Sequence, residues 1–219
     1  MPMKILAITS QKGGVGKTTV AINLAVAAAH DGVPTVVFDL DPQSSATAVY
    51  DMRVEKDHGD QPMILSIHAA RLPQALKSAI ADGYELAIID SPPNVGGEAV
   101  HISQAGDLVL IPVQPAGLDL AAIVNSMRVA EAAGVPAAVV LNRCRSAAKG
   151  DVRDAQRLIE NEYAFRLAPV AIGDRVAFAR APNEGLGVQE LEPGSKGANE
   201  VRMLWKWVKQ ELGADRAAA

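Results

Sequence analysis

Residues 10–20 read Ser-Gln-Lys-Gly-Gly-Val-Gly-Lys-Thr-Thr-Val, and they stand between an apolar run, Met3 to Thr9, and a stretch with helical spacing, Thr18 to His30. The first run shows almost no alternation, which predicts a strand covered on both faces of a sheet. In the second, Val20, Leu24, Ala27 and Ala28 fall on one side, and the pattern stops near Asp31-Gly32. Strand, glycine turn and helix in that order leave few folds open. The glycines let the turn tighten, so several backbone N–H groups point inward, and the helix N-terminus adds its partial positive charge. Such a turn is built for polyphosphate. Lys17 is then placed to reach the β and γ phosphates, and the Thr18 hydroxyl to ligate Mg2+.

The loop is irregular in an informative way. The strict phosphate-loop pattern has glycine six residues before its lysine, and Gln11 stands there. What remains is the form Lys-Gly-Gly-x-Gly-Lys-Thr, with a second cation, Lys12, at the loop entrance. Within one subunit that cation has no obvious phosphate to meet.

Further strand-like runs alternate with helical patterns along the chain. Strands are expected near Thr35 to Leu40, Leu86 to Asp90, Leu108 to Val113, Ala137 to Leu141 and Leu167 to Val170, with a short edge strand at Ile64 to Ile67. Helices are expected near Ala46 to Met52, Pro73 to Ala81, Glu98 to Gln104, Leu118 to Ala133, Val152 to Glu162, Arg175 to Glu184 and Lys196 to Leu212. The polar stretch Asp51 to Gln61 reads as an exposed loop and Gly213 to Ala219 as a frayed tail. Alternation of this kind predicts an α/β fold: a doubly wound, mostly parallel sheet with helices on both faces and its ligand at the carboxyl ends of the strands. No linker divides the 219 residues, 49% of them apolar, so a single domain spanning 1–219 is expected.

Composition removes several classes. The sequence has no run long enough to span a bilayer and no signal-peptide pattern, which points to the cytoplasm. The one cysteine, Cys144, rules out a disulfide framework within the chain and fits a reducing compartment. A net charge of −4 argues against a wholly basic nucleic-acid binder while leaving room for a local basic patch. His30, His58, His68 and His101 show no metal-ligand spacing.

Three aspartates fall at expected strand ends. Asp39 and Asp41 close the second strand in Phe38-Asp39-Leu40-Asp41-Pro42-Gln43, and Asp90 closes Ile88-Ile89-Asp90-Ser91-Pro92-Pro93. An aspartate after an apolar strand is where a second phosphate-loop motif holds Mg2+, usually through water. Carboxylates beside a triphosphate need a metal to balance their charge.

These motifs together resemble the ParA family of partition ATPases, within the wider ParA/MinD group. The resemblance rests on Lys12 to Thr19, then Asp39-x-Asp41-Pro42-Gln43, then Asp90-Ser91-Pro92-Pro93. It continues through Pro115 to Asp119, Leu141-Asn142-Arg143, and Ala181-Pro182 to Ala198, so it covers nearly the whole chain. The pattern is that of a short form without an N-terminal helix-turn-helix extension. By resemblance, Gly13, Gly14, Val15, Gly16, Lys17, Thr18 and Thr19 cradle ATP, and Asn142 contacts its adenine. Lys12 corresponds to the signature lysine that crosses a dimer interface to the partner's nucleotide. Asp41 corresponds to the aspartate that positions the attacking water, Asp90 to the outer-shell metal carboxylate, and Asp39 to a supporting carboxylate near the metal. The implied activity is slow hydrolysis of ATP with Mg2+, stimulated by a partner, with Lys12, Lys17 and Asp41 as the catalytic groups.

The resemblance further implies a homodimer when ATP is bound, non-specific DNA as a partner, a cargo-binding adaptor protein that stimulates hydrolysis, and a nucleoid-associated place in the cytoplasm. Dimerisation would join two weak basic patches and raise their avidity. Arg175, Arg180, Lys196 and Arg202 are the candidate patch, and they would contact phosphates without reading sequence. Ala177 departs from the family, whose members commonly carry arginine there. The nearest alternative is a MinD-like ATPase that cycles on a membrane, because Val201, Leu204, Trp205, Val208 and Leu212 share one side of the last helix. Core packing is the commoner use of such a face, so a membrane partner is not expected. A metal-cluster carrier like the nitrogenase iron protein would need more cysteines than Cys144. A small-molecule ligase on the same loop remains conceivable.

Overall fold

The structure, a computed structural model, describes residues 2–93, 98–115, 120–147 and 149–213. Six strands form one sheet: β1 (Lys4–Ile8), β2 (Thr35–Asp39), β3 (Met63–Ser66), β4 (Leu86–Asp90), β5 (Leu108–Val113) and β6 (Ala137–Leu141). Their spatial order is β3-β2-β4-β1-β5-β6, and every pairing is parallel. The chain runs outward from β1 to β3 on one side, returns through β4, and then builds β5 and β6 on the other. A crevice therefore opens beside β1, where the direction of winding reverses.

The register decides what faces that crevice. Ile8 of β1 pairs with Asp90 of β4, which pairs with Asp39 of β2, so three strands end at one level. The glycine loop after β1 and the aspartates of two neighbouring strands thus emerge side by side.

Alternation along the strands separates the apolar core into two faces. Leu6, Ile8, Val37, Ile88, Leu110 and Val140 point to one side. They pack against α1 (Lys17–His30), α2 (Ser45–Glu55) and the C-terminal elements α7 (Val176–Arg180), α8 (Val188–Leu191) and α9 (Lys196–Glu211). On the other side, Val36, Phe38, Ala87 and Ile89 meet α3 (Leu72–Ala81) and α4 (Glu98–Gln104). Val109, Ile111, Val139 and Leu141 meet α5 (Leu120–Ala133) and α6 (Lys149–Arg157) there. Apart from the edge strand β3, where Leu65 and Ser66 are exposed, the strands are buried on both faces, hence the nearly unbroken apolar runs.

Strands 86–90, 108–113 and 137–141 and the helix 98–104 have the predicted limits. Four expectations need correction. Leu167 to Val170 is not a strand: its one link to the sheet is a bridge between Leu167 and Val139, and the apolar residues are used in packing instead. The loop expected from Asp51 begins later, because α2 runs to Glu55 with Val49 and Arg53 buried on its inner side. The helix expected at Val152 to Glu162 is α6 followed by a wider π turn over Leu158–Glu162. Arg175 to Glu184 is split into α7 and a 3-10 turn, Ala181–Glu184, where Pro182 withholds an amide hydrogen. The expected start of α5 at Leu118 and the frayed tail at 214–219 lie outside the described residues.

The apolar face of α9 is spent inside the molecule. Val201, Leu204, Trp205, Val208 and Leu212 are all buried in the core shared with α1, and Trp205 donates from Nε1 to Asp31 at 2.8 Å. Withdrawing five such side chains would cost on the order of 10 kcal/mol. That is comparable to the stability of a whole domain. Among the described residues no helix is long and apolar enough to cross a membrane.

Candidate nucleotide site

The loop between β1 and α1 is held open by backbone conformation. Gly14 and Gly16 have φ of 74° and 91°, in the left-handed region that L side chains rarely adopt. At Gly16 a Cβ would also run into the amide of Asn142. That amide is buried and donates to the Val15 carbonyl at 2.8 Å. Gln114 Nε2 donates to the Gly14 carbonyl at 2.8 Å, and Arg143 Nη1 reaches the same oxygen at 3.4 Å. These bonds take up the Gly14 and Val15 carbonyls, and α1, which follows without a side-chain cap, has first-turn amides with no partner inside the helix.

A cavity of about 390 Å³ lies there, lined by Gly13, Gly16, Lys17, Thr18 and Asp41 together with Asn142, Arg175 and Phe178. Lys17 is buried, and burial pulls its ammonium below the ordinary lysine range, against the raising effect of Asp90 and Asp41. Lys12 is exposed and does not line this cavity. It borders a small cleft on the α5 side of the loop with Val113, Gln114 and Ile123.

The two strand-end aspartates differ sharply. Asp39 is fully buried and saturated. Its Oδ1 accepts from the Asp41 amide at 3.1 Å, and its Oδ2 accepts from the Ala46 and Thr47 amides and the Thr47 hydroxyl at 3.0, 3.1 and 3.2 Å. Both oxygens are thus used to fix the loop 40–46 and the start of α2. Asp90 is equally buried, yet neither of its oxygens has a hydrogen-bond partner. Burial, with Asp39 adding to it, pushes its carboxyl up to about 7, although the nearby Thr18 hydroxyl and Lys17 ammonium oppose the shift. A buried carboxylate left in this state is costly unless a cation meets it.

Asp41 is half-buried and faces the cavity, its Oδ1 accepting from the Gln43 amide at 3.0 Å. No cluster of three or more His, Cys, Asp or Glu side chains suited to a metal occurs among the described residues. A divalent ion here would therefore be held largely by oxygens the ligand itself brings, as Mg2+ usually is.

Of the proposed DNA contacts, Arg175 stands apart from the other three. It borders the nucleotide cavity and is paired with Glu200, whose Oε2 also accepts from the Gly173 amide at 3.0 Å. The other three gather around one turn: Arg180 lies 3.8 Å from Glu192, Arg202 donates to the Pro193 carbonyl at 3.1 Å, and Lys196 begins α9, exposed. Sequence reading missed Gln114 as a brace of the loop and gave no sign of the buried pair Arg53 and Glu190, 137 residues apart.

Comparison with known proteins agrees with this geometry. The model of the CobQ/CobB/MinD/ParA nucleotide binding domain matches residues 6–188. Over 216 residues the chain is 32% identical to the maintenance of carboxysome distribution protein A of Gloeobacter kilaueensis, covering 97% of this chain and 95% of that one. It is 29% identical to the chromosome-partitioning ATPase Soj of Thermus thermophilus, covering 91% and 92%. Among solved structures, the septum site-determining protein MinD of Pyrococcus horikoshii, complexed with Mg-ADP, superposes with a TM-score of 0.76 at 22% identity over 97% of this chain and 98% of that one. McdA of Cyanothece, in a complex with ATP, gives 0.74 at 20% over 97% of each. The match of the family model begins in β1 and ends in α8, so it spans the loop, both aspartate strands and the far wall of the cavity. The chain belongs to the CobQ/CobB/MinD/ParA nucleotide-binding family, on its ParA/MinD side, whose members are ATPases.

Proposed function

We propose that this chain is a slow, partner-stimulated ATPase that dimerises on ATP, binds DNA without regard to sequence, and positions a cargo such as a plasmid or a chromosome region. The observation that carries the reading is the division of the two loop lysines: Lys17 is buried in the cavity, while Lys12 is exposed beside α5, outside it. A cation displaced from its own subunit's phosphates is well placed to serve those of a second copy. Nucleotide held between two subunits then stabilises a symmetric dimer, and hydrolysis releases it.

The residues present fit Mg-ATP. The uncompensated Asp90 carboxylate stands beside Thr18 at the mouth of α1, where a divalent ion would be held by the hydroxyl with Asp90 behind it. Mg2+ would supply neutralisation of charge on the β and γ phosphates. Lys17 binds the same phosphates, Asp41 orients the attacking water, and a trans Lys12 meets charge that develops in the transition state. Asn142 and Arg143, bound to the far side of the loop, would hold the base end.

Two relatives bear names of cargo-positioning proteins, one of carboxysomes and one of chromosomes. The turn holding Arg180, Lys196 and Arg202 is the candidate DNA face, and doubling it in a dimer raises avidity. A cell extract would then show the protein on the nucleoid. The MinD-like reading is weaker because the apolar face of α9 is buried.

Sedimentation with non-specific DNA and with liposomes, each with ATP and with ADP, tests the reading. Pelleting with DNA only in ATP, steeply weakened by salt, is the expected result. Pelleting with liposomes instead would transfer the protein to the membrane-cycling class. Lys12→Ala should remain monomeric by light scattering in ATP while still binding nucleotide; a normal ATP dimer would exclude the trans role.

A further inference from the structure

The loop that carries Asp41 is tied down at two distant places, and α2 is the rod between them. At its start, Asp39 holds the amides of Asp41, Ala46 and Thr47. Near its end, Arg53 is buried with only 8% of its side chain exposed, and it forms a fork with Glu190, Nη1 to Oε2 at 2.9 Å and Nη2 to Oε1 at 2.8 Å. Nη1 also donates to the Gly185 carbonyl at 3.2 Å, and the Glu190 carboxylate accepts from the Gly187 amide at 2.8 Å. Lys56, one residue beyond α2, pairs with Glu184.

The backbones touch at the same place. Gly185 has φ of 70°, and a Cβ there would overlap the main chain of Met52 and Arg53. The phosphate-loop helix grips the same segment from its other side: Asn23 of α1 accepts from the Val188 amide at 2.8 Å, and Gln189 Nε2 donates to the Asn23 carbonyl at 2.8 Å. Residues 183–190 are therefore clamped between the helix that begins at Lys17 and the helix that begins behind Asp41.

We propose that Arg53 is a positioning residue for hydrolysis: through α2 and Asp39 it sets where Asp41 stands relative to the phosphate loop, and Glu190 supplies the fixed point. The proposal rests on Asp41 as the water-orienting group. A two-bond planar fork suits such a task, because it fixes the angle as well as the distance between two helices. Loss of the fork would leave α2 free to shift, with little effect on the groups that bind phosphate.

The test compares steady-state ATP turnover with ATP affinity, measured by equilibrium binding, in Arg53→Met, Arg53→Lys and the double variant Arg53→Met with Glu190→Gln. The expected result is a turnover about tenfold lower in Arg53→Met with an ATP dissociation constant within about twofold of wild type, equivalent to about 1.4 kcal/mol in the barrier alone. Arg53→Lys should recover part of the turnover, since it keeps the charge and loses the fork. Arg53→Met alone leaves the half-buried Glu190 carboxylate with only the Gly187 amide and His30 as partners, and is expected to be less stable. The double variant removes that penalty, and its turnover should remain low. Recovery of wild-type turnover in the double variant would mean that the pair serves stability only, and would overturn the proposal, as would parallel loss of affinity and turnover. Asp41→Ala separates the two readings. Normal turnover there removes Asp41 from the chemistry and takes this proposal with it. Slow turnover there with wild-type turnover in Arg53→Met overturns the role of Arg53 alone.

Discussion

Asp39 and Asp90 end neighbouring strands, pair in register and are both fully buried, yet one accepts four hydrogen bonds and the other none. Asp39 looks toward the chain that follows it and closes a turn into α2. Asp90 looks across to Thr18 and Lys17, which line the cavity. The difference separates architecture from function within a few ångströms. A buried charge with all its partners inside the protein is a structural part, and one whose partners are missing marks what the protein is built to bind. Arg53 and Glu190 stand between the two: both terminal nitrogens of Arg53 are bound within the protein, while its buried Nε has no partner.

The largest expected effect is in the pH dependence of stability. The Asp90 carboxyl is pushed up to about 7, well above the value it takes in an unfolded chain. Between about pH 4 and pH 7 the native protein therefore holds a proton that the unfolded chain releases, so this group's contribution to stability falls as pH rises, and levels off above 7. The full effect is on the order of 4 kcal/mol. Asp90→Asn cannot titrate, so its stability relative to wild type should be about equal at pH 4 and should climb to a plateau above pH 7, measured by urea unfolding without nucleotide. A constant difference across that range would mean that Asp90 is compensated after all.

Asp39→Ala should do the reverse. It removes a cap and strands three amides, so it should cost about 2–3 kcal/mol at neutral pH and melt the start of α2. A neutral result in the same urea assay would erase the contrast between the two aspartates. Arg180→Ala marks the low end: its partner Glu192 is 3.8 Å away and both side chains are well exposed. Stability should change by less than about 0.5 kcal/mol. Its DNA affinity in ATP, if the turn at 192–193 is the DNA face, should nevertheless fall, with a shallower salt slope.

Much of this was legible in the sequence for a simple reason: the glycine loop, the buried strands and the three aspartates are local signals. The strand that was expected at Leu167 to Val170 has the right composition but lies beside β6 with one bridge, and whether an apolar run joins a sheet depends on its neighbours. The length of α2 was hidden because Arg53, a charged residue, is among those it buries, and the partner that permits this is 137 residues away. Arg175 is grouped by sequence with Arg180, Lys196 and Arg202 as one basic patch. Glu200, on another helix, draws it to the rim of the cavity. Asp39 and Asp90 follow equally apolar strands, and only the closed turn at 40–46 tells them apart.

The central claim is that Asp90 is left uncompensated for the sake of Mg-ATP, and thermal unfolding of wild type and Asp90→Asn with and without Mg-ATP tests it directly. At pH 8, Asp90→Asn should melt higher than wild type without nucleotide and should gain much less than wild type when Mg-ATP is added. Equal gains in the two proteins, or a lower melting temperature for Asp90→Asn without nucleotide, would contradict it.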